Sequence, residues 1–167
     1  MRKHVVIYMQ KINSAKLKYL FKKLTDKELD MRDYINRLML QKIVFLLQSS
    51  GISFGYNFTW YLKGPYCSQL TKDAFAVTTE TVNNVEFEKN EEEKILRLKK
   101  HFTNELKNDK ELELLGSLVF IRNNMQIKSE SEIKEKLVAL KPWYSKEIKL
   151  IDRLAKKIED SKLFQNS

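Results

Sequence analysis

Cys67 is the first residue of the sequence to consider as a nucleophile, because it lies in the polar segment after a Gly-Pro corner. A thiol beside a helix N-terminus has a lowered pKa, but catalysis also needs an adjacent general base. The sequence offers no recognisable histidine or asparagine partner, so a small, partly buried corner residue is the better interpretation. Cys67 is also the only cysteine, which excludes an intramolecular disulfide and favours a reducing compartment.

Metal and phosphate chemistry find equally little support. His4, His101 and Cys67 lie too far apart for any usual zinc-ligand spacing. The segment GPYCSQLTKD contains Lys72 but lacks the second glycine and the Lys-Ser/Thr pair of a phosphate-binding loop. The acidic cluster from Glu86 to Glu93 is better explained as a solvated helix N-terminus than as paired catalytic carboxylates. We therefore expect a protein that is not an enzyme and has no catalytic residues, metal or cofactor.

Composition predicts a folded domain with anionic partners. The chain has 167 residues, of which 43% are hydrophobic, and its formal net charge is +9. That charge favours nucleic acid or another polyanion, although a Lys-rich composition also occurs without such a role. The apolar run at residues 5–9 is too short for a signal-peptide core, and no run approaches the ~20 residues of a membrane span. We expect a soluble, cytoplasmic protein with no membrane partner.

Periodicity predicts one domain over residues 1–167, with three parts. Residues 1–25 form a basic helix or arm with no acidic residue, in which Leu17, Leu20, Phe21 and Leu24 recur at helical spacing. Residues 30–88 form a core whose order of helix, strand and helix is compatible with a winged-helix-like fold, and residues 89–164 form a helical remainder. The predicted fold class is mainly α with a small β element (α+β), with additional C-terminal helices after the core.

The core begins with a helix capped by Asp30 or Asp33 and ending at Gly51. It is apolar nearly all round, apart from a stripe of Arg37, Gln41 and Gln48 with Lys42 beside it, and is expected to be central.

A strand follows, in which Tyr56, Phe58, Trp60 and Leu62 face inward and Gly64-Pro65 ends the ladder. Ser68 is then the expected N-cap of a short helix whose inner side holds Leu70, Ala74 and Val77. Residues 82–87 form a weak second strand.

Four further helices are predicted in the remainder. They start near Asn90, at Glu111, after Ser129 and near Ser145. The first runs to Leu106, and the third stops before Pro142. Ser129 and Glu132 have the spacing of a capping box. The last helix has five apolar residues on one face: Ile148, Ile151, Leu154, Ala155 and Ile158.

Four segments occur in an order that resembles the YwgA-type family of small prokaryotic proteins: RLMLQKIVFLLQSSG, YNFTWYLKGPYCSQLTKD, ELELLGSLVFIRN and LVALKPWYSKEIKLI. The central block is also similar, more distantly, to the Panacea (SocA-like) antitoxin domain. The resemblance extends from Arg37 to Ile151 and implies a mostly helical, winged-helix-like domain without catalytic activity. Panacea-like relatives bind and neutralise partner toxins. Where the family has serine after Gly-Pro-Tyr, this chain has Cys67 and then Ser68.

The first functional hypothesis is a DNA-binding regulator of winged-helix type. The helix from Ser68 would be the recognition element, with Gln69, Lys72, Asp73 and Ala76 facing outward. A solvated helix face explains these residues equally well. The predicted nucleic-acid-binding residues lie in the basic arm, at the corner and in this helix: Lys16, Lys18, Lys22, Lys23, Lys63, Gln69 and Lys72.

The alternative hypothesis is a protein-interaction module, such as an antitoxin or adaptor that binds a toxin or regulator. Tyr61, Tyr66 and Trp143 are the predicted partner-binding residues, since aromatic side chains are enriched in interfaces. A second copy of the chain is a further candidate partner, which would make a homodimer.

Overall fold

The computed structural model describes residues 2–76 and 85–165, and within the first helix it leaves out the side chains of residues 4–13. The described elements follow in this order: α1 (Arg2–Thr25), α2 (Tyr34–Ser49), β1 (Thr59–Tyr61), β2 (Gly64–Tyr66), α3 (Ser68–Phe75), α4 (Lys89–His101), a 3-10 turn (Glu105–Lys107), α5 (Asp109–Asn123), α6 (Glu130–Leu140), a second 3-10 turn (Pro142–Tyr144) and α7 (Ile148–Ser161). The predicted fold class, mainly α with a small β element, is confirmed.

The basic N-terminal segment is a helix that packs on the core. Leu17, Leu20, Phe21 and Leu24 are all buried, as their spacing predicts. Ser14 lies on the same helix and donates a hydrogen bond to the backbone carbonyl of Asp73, 2.7 Å away. This bond fixes α1 against α3.

The central helix is α2, and residues 39–47 are buried around its whole circumference. Asp33 is the N-cap, because its carboxylate accepts from the Ile35 backbone N–H at 2.7 Å. One part of the prediction is wrong: Gln41 and Lys42 are buried with the apolar residues and do not form a solvent-facing stripe. Both polar side chains therefore need partners inside the protein.

The β element is a tight hairpin and not a single strand. Trp60 pairs with Pro65, and Tyr61 with Gly64, so the Gly-Pro corner is the second strand and does not terminate the ladder. Proline is tolerated here because each strand of a two-stranded sheet has a free edge toward which a position without an N–H can point. Leu62 was expected inside, but it lies in the connecting turn and is 71% exposed.

The predicted second strand over residues 82–87 is wrong where it can be assessed. Residues 85–87 are not in a strand, and residues 82–84 lie outside the described part of the chain, as does Val77. The partner of β1 is β2, which is close in sequence and needs only a two-residue connection.

Four helix starts can be compared with the predictions: α4 starts at Lys89, next to the predicted Asn90, and the other three differ for a local reason. Cys67, not Ser68, occupies the N-cap position of α3, without a capping side-chain hydrogen bond. Glu88 caps α4 through a reciprocal box with Glu91. The Asn108 side chain accepts from the Glu111 N–H and starts α5 two residues early. A 3-10 turn at 142–144 delays α7 to Ile148.

Two helix ends can also be compared. The helix predicted to reach Leu106 stops at His101, and a separate 3-10 turn follows at 105–107. The end of α6 at Leu140 confirms the stop predicted before Pro142. On α7, Ile151, Leu154 and Ile158 are buried as predicted, whereas Ile148 is exposed.

Candidate functional site

The hairpin is held close to α5 by one aromatic contact and one glycine. Trp60 is half-buried and packs on Phe120, with ring centroids 5.6 Å apart. Gly64 has a φ of +88°, and a Cβ there would lie 2.6 Å from the Ser117 hydroxyl oxygen. The sequence therefore needs glycine at this position both for its backbone conformation and for its close approach to α5.

A group of charged side chains lies beneath the hairpin. Lys42 of α2 is 1% exposed and donates to the Pro65 carbonyl at 2.8 Å. Lys141 is 0% exposed and donates to Glu113 Oε1 at 2.5 Å. Lys63, at the hairpin turn, places its amine 3.7 Å from Glu113 Oε2. Two lysines therefore share one carboxylate, with the Lys42 amine close enough to feel their charges, and we call these four residues the lysine cluster.

Burial decides the ionisation of this cluster. Burial, followed by the nearby charge of Lys141, lowers the pKa of Lys42 to about 7. Burial also lowers the pKa of Lys141, because the favourable hydrogen bond from its amine to Glu113 only partly offsets the loss of water. The pKa of Tyr144 is raised, again mainly by burial and then by Glu113. Lys42 therefore changes charge near neutral pH.

An open groove of about 340 Å³ lies between the first half of α2 and the hairpin. Its lining, which we call the hairpin groove, consists of eleven residues: Tyr34, Arg37, Leu38, Gln41, Lys42, Tyr61, Leu62, Lys63, Gly64, Tyr66 and Thr71. Most of the groove surface is apolar. Tyr34 and Tyr61 are 54% and 59% exposed at its rim.

Gln41 fixes one end of the groove. Its amide nitrogen donates to the Cys67 carbonyl and to the Thr71 hydroxyl, and its amide oxygen accepts from the Cys67 N–H, each at 2.9 Å. These bonds join the middle of α2 to the start of α3. Cys67 itself is buried, and its backbone groups serve this connection.

Two of the predicted partner-binding residues lie together in the groove. The Tyr61 and Tyr66 rings are 5.6 Å apart, with Tyr61 exposed and Tyr66 half-buried. Trp143 is 56% exposed on the 3-10 turn after α6, but it does not line the groove. The sequence therefore found one aromatic pair that the fold brings together and one separate exposed ring.

The predicted recognition helix does not present the expected outward face. Asp73 was expected to face solvent, but it is buried and accepts from the Tyr56 hydroxyl at 2.8 Å. Burial and the hydrogen bond to Asp73 raise the pKa of Tyr56. Gln69 is exposed but donates to Asp73 Oδ1 at 2.7 Å, while Lys72 is exposed. Only part of the α3 surface is therefore available to a ligand.

Three predicted nucleic-acid-binding lysines of α1 have partners within the chain. Lys16 lies 5.0 Å above the Phe87 ring, Lys22 pairs with Glu28, and Lys23 donates to the Tyr19 hydroxyl at 2.9 Å. Lys18 is half-buried on the same helix. Lys63 is not on α1: it lies at the hairpin turn and belongs to the lysine cluster. The seven predicted residues thus divide among α1, the hairpin and α3.

A larger cleft of about 720 Å³ is also cationic, but the fold itself explains its charge. The ends of α2, α5 and α7 line or adjoin it, and helix C-termini carry a partial negative charge. Lys94 donates to the Gly51 carbonyl at 3.3 Å, and Arg97 donates to the Ser161 carbonyl at 3.0 Å. These cations neutralise helix ends, so they do not by themselves indicate a ligand.

Within the described residues, no group of three or more His, Cys, Asp or Glu side chains could hold a metal ion. None of the described helices has the length and apolarity needed to cross a membrane.

The lysine cluster is the feature that sequence reasoning missed. A signal for it was present, because Lys42 interrupts the apolar run LMLQKIVFLL of a helix that is buried on all sides. Nothing comparable marks Lys141 or Glu113, which the fold brings to Lys42 from distant parts of the chain.

Comparison with protein-family models, with curated proteins and with solved structures finds no match to this chain. The resemblance to the YwgA-type family and to the Panacea domain therefore stays a prediction.

Proposed function

We propose that this protein is a non-enzymatic protein-interaction module and that the hairpin groove binds its partner. The observation that carries the proposal is the exposed apolar and aromatic surface around the turn of the hairpin. Leu62 is 71% exposed where a turn would ordinarily carry a polar residue, and Tyr61 lies beside it. Tyrosine and arginine are the residues that interfaces favour, and the groove contains three tyrosines and Arg37.

The positions of these residues support a recognition role more than a folding role. The hairpin is already held against α5 by the Trp60 ring and by the close approach of Gly64 to Ser117. Tyr61 and Leu62 remain exposed, so their apolar surface contributes little to the core. A partner that covers them would gain the burial that the free protein leaves unused.

The test is affinity purification from the source cells with three forms of the full chain. Leu62→Ser removes apolar surface from the groove, and Leu96→Ser is the matched control, since Leu96 is 54% exposed on α4 outside the groove. We expect one protein to co-purify in stoichiometric amount with the wild type and the control but not with Leu62→Ser. Equal recovery with all three forms would contradict the proposal.

A second candidate function, DNA binding, is favoured by one specific observation. The first 25 residues contain seven lysine or arginine residues and no acid, and residues 2–25 form one continuous helix. Such a helix would contact phosphates without reading bases. The engagement of Lys16, Lys22 and Lys23 within the chain places this candidate second.

A further inference from the structure

The hairpin groove has an excess of positive charge. Arg37, Lys42 and Lys63 line it, and none of its described lining residues is acidic. The Glu113 carboxylate, which is not part of the lining, is paired with Lys63 and Lys141. The lining of the groove therefore favours an anionic ligand.

Lys42 is the member of this group with unused hydrogen-bonding capacity. An ammonium has three N–H donors, and the Pro65 carbonyl is the one hydrogen-bond acceptor that the described residues provide for it. Lys42 lines the groove although it is almost fully buried. A buried amine with so few partners is costly to keep charged, which agrees with its lowered pKa. A carboxylate that entered the groove would supply the missing partner.

We propose that the hairpin groove binds an acidic, extended segment of a partner protein, with an apolar side chain against Tyr61 and Leu62 and a carboxylate directed toward Lys42. This inference rests on the proposed function and specifies the chemistry of the partner. The exposed Tyr61 and Leu62 supply the contact for the apolar side chain. Lys63 and Arg37 also line the groove, Arg37 with one guanidinium nitrogen donating to the Met31 and Arg32 carbonyls. Charge complementarity and apolar burial therefore select the same ligand.

The dimensions of the groove favour a peptide segment over a nucleic acid. At about 340 Å³, it is near the lower end of ligand pockets, which span roughly 300–1,000 Å³. It accommodates a few side chains. The phosphates of a duplex lie on a broad, rigid surface and would not reach the amine of Lys42 below the hairpin. A carboxylate on a flexible side chain can enter.

The experiment is a selection of random twelve-residue peptides on the immobilised full chain, followed by fluorescence anisotropy with the selected peptides. Each peptide is compared with a copy in which Asp and Glu are replaced by Asn and Gln. On the wild type, we expect the amide copy to bind about tenfold more weakly, since hydrogen bonds between charged groups are the stronger ones. On Lys42→Met the two copies should bind within about twofold of each other, which removes the preference.

Lys63→Gln is a second variant for the case in which Lys42→Met does not fold, because the Lys63 side chain is half exposed. It should reduce the preference for the acidic peptide, whereas Leu62→Ser should weaken both copies and Leu96→Ser neither. If the peptides require Leu62 but their amide copies bind equally well, the inference fails and the proposed function survives. If no peptide requires Leu62, both fail. Two other results would also overturn the inference. One is binding of a twelve-nucleotide oligothymidylate that requires Leu62. The other is a homodimer, detected by light scattering, that requires Leu62 and is accompanied by no preference for acidic peptides.

Discussion

The Lys42 ammonium donates a hydrogen bond to the Pro65 carbonyl across 2.8 Å, joining the central helix to the second strand of the hairpin. Gly116 lies beside this contact: a Cβ at that position would come to a tight 3.3 Å from Lys42 Cδ and to an ordinary 3.6 Å from Pro65 Cγ. One buried amine therefore connects the core of the protein to the groove.

The first prediction concerns how Lys42 links stability to pH. Its pKa is about 7 in the folded protein and ~10.4 in an unfolded chain. Between these values the unfolded chain holds a proton that the folded chain has released, so stability rises with pH. We expect Lys42→Met to be most favoured relative to the wild type below pH 7, where the buried amine is charged, and less favoured as the pH rises. Between about pH 7.5 and 9.5 that advantage should fall by about 2 kcal/mol.

Urea denaturation across this pH range measures the effect. The range ends below the pH at which Tyr56 and Tyr144 matter, because their raised pKa values oppose the lysine effect only once unfolded tyrosines ionise. Lys100→Met, at an exposed position on α4, is the control and should run parallel to the wild type. If Lys42→Met also runs parallel, Lys42 does not have the pKa described here.

The second prediction concerns the buried pair of Lys141 and Glu113. Glu113→Gln removes the carboxylate and leaves the buried Lys141 amine without its charged partner. The expected loss of stability is about 3–5 kcal/mol at neutral pH. Because the pKa of Lys141 is lowered, the loss should shrink as the pH is raised and the amine becomes neutral.

The measurement is again the free energy of unfolding, at two pH values. Asp160→Asn replaces an exposed carboxylate near the end of α7 and should change stability by less than about 0.5 kcal/mol. A similarly small change for Glu113→Gln would mean that the pair contributes no more than a surface ion pair.

The third prediction separates strain from crowding at Gly64. Gly64→Ala introduces both an unfavourable positive φ and a contact of 2.6 Å with the Ser117 hydroxyl oxygen. Gly55→Ala shares the strain, with a φ of +75°, but meets nothing within 4 Å. We expect Gly55→Ala to lose about 1 kcal/mol and Gly64→Ala about 2–4 kcal/mol.

Thermal denaturation of the two single variants and of Gly64→Ala with Ser117→Ala tests this interpretation. Removing the hydroxyl should restore part of the stability lost in Gly64→Ala, since it relieves the contact but not the backbone strain. No restoration in the double variant would show that the hairpin does not lie this close to α5.

The contrast between Leu17 and Lys42 shows how far the sequence predicts this fold. Leu17 and its companions follow a helical period, and periodicity depends only on neighbours in the chain, so their burial was predictable. The pairing of β1 with Gly64-Pro65 was not predictable. Proline fits in this strand only if its position without an N–H lies at the free edge of the sheet, and the local sequence does not reveal that.

The candidate site was predictable only in part, for the same reason. Tyr61 and Tyr66 were identified as aromatic residues suited to an interface, and they lie close together. Lys141 and Glu113 are 28 residues apart in sequence, and both are far from Lys42, so no local pattern associates them. The predicted exposure of Asp73 was wrong. The sequence of a short helix gives no sign that one of its carboxylates will be buried and accept a hydrogen bond from Tyr56.

The last prediction concerns DNA. Lysines that contact phosphates release condensed counterions, so the logarithm of affinity should fall with the logarithm of salt concentration, at about −0.9 per phosphate contacted. Replacing Lys16, Lys18, Lys22 and Lys23 by glutamine should flatten this slope for every duplex sequence alike if α1 is the contact.

The matched control removes four positive charges elsewhere, at the exposed residues Lys100, Lys136, Lys146 and Lys149. Affinities are measured by fluorescence anisotropy with labelled duplexes over a salt series. The affinity of this control should fall more steeply with salt concentration than the affinity of the α1 variant. Gln69→Ala should leave sequence preference unchanged, because the Gln69 amide is already engaged by Asp73. A preference that did change with Gln69 would make α3 a base-reading helix and put DNA binding first. An absence of binding even at low salt would remove DNA as a candidate and leave the hairpin groove as the functional surface to test.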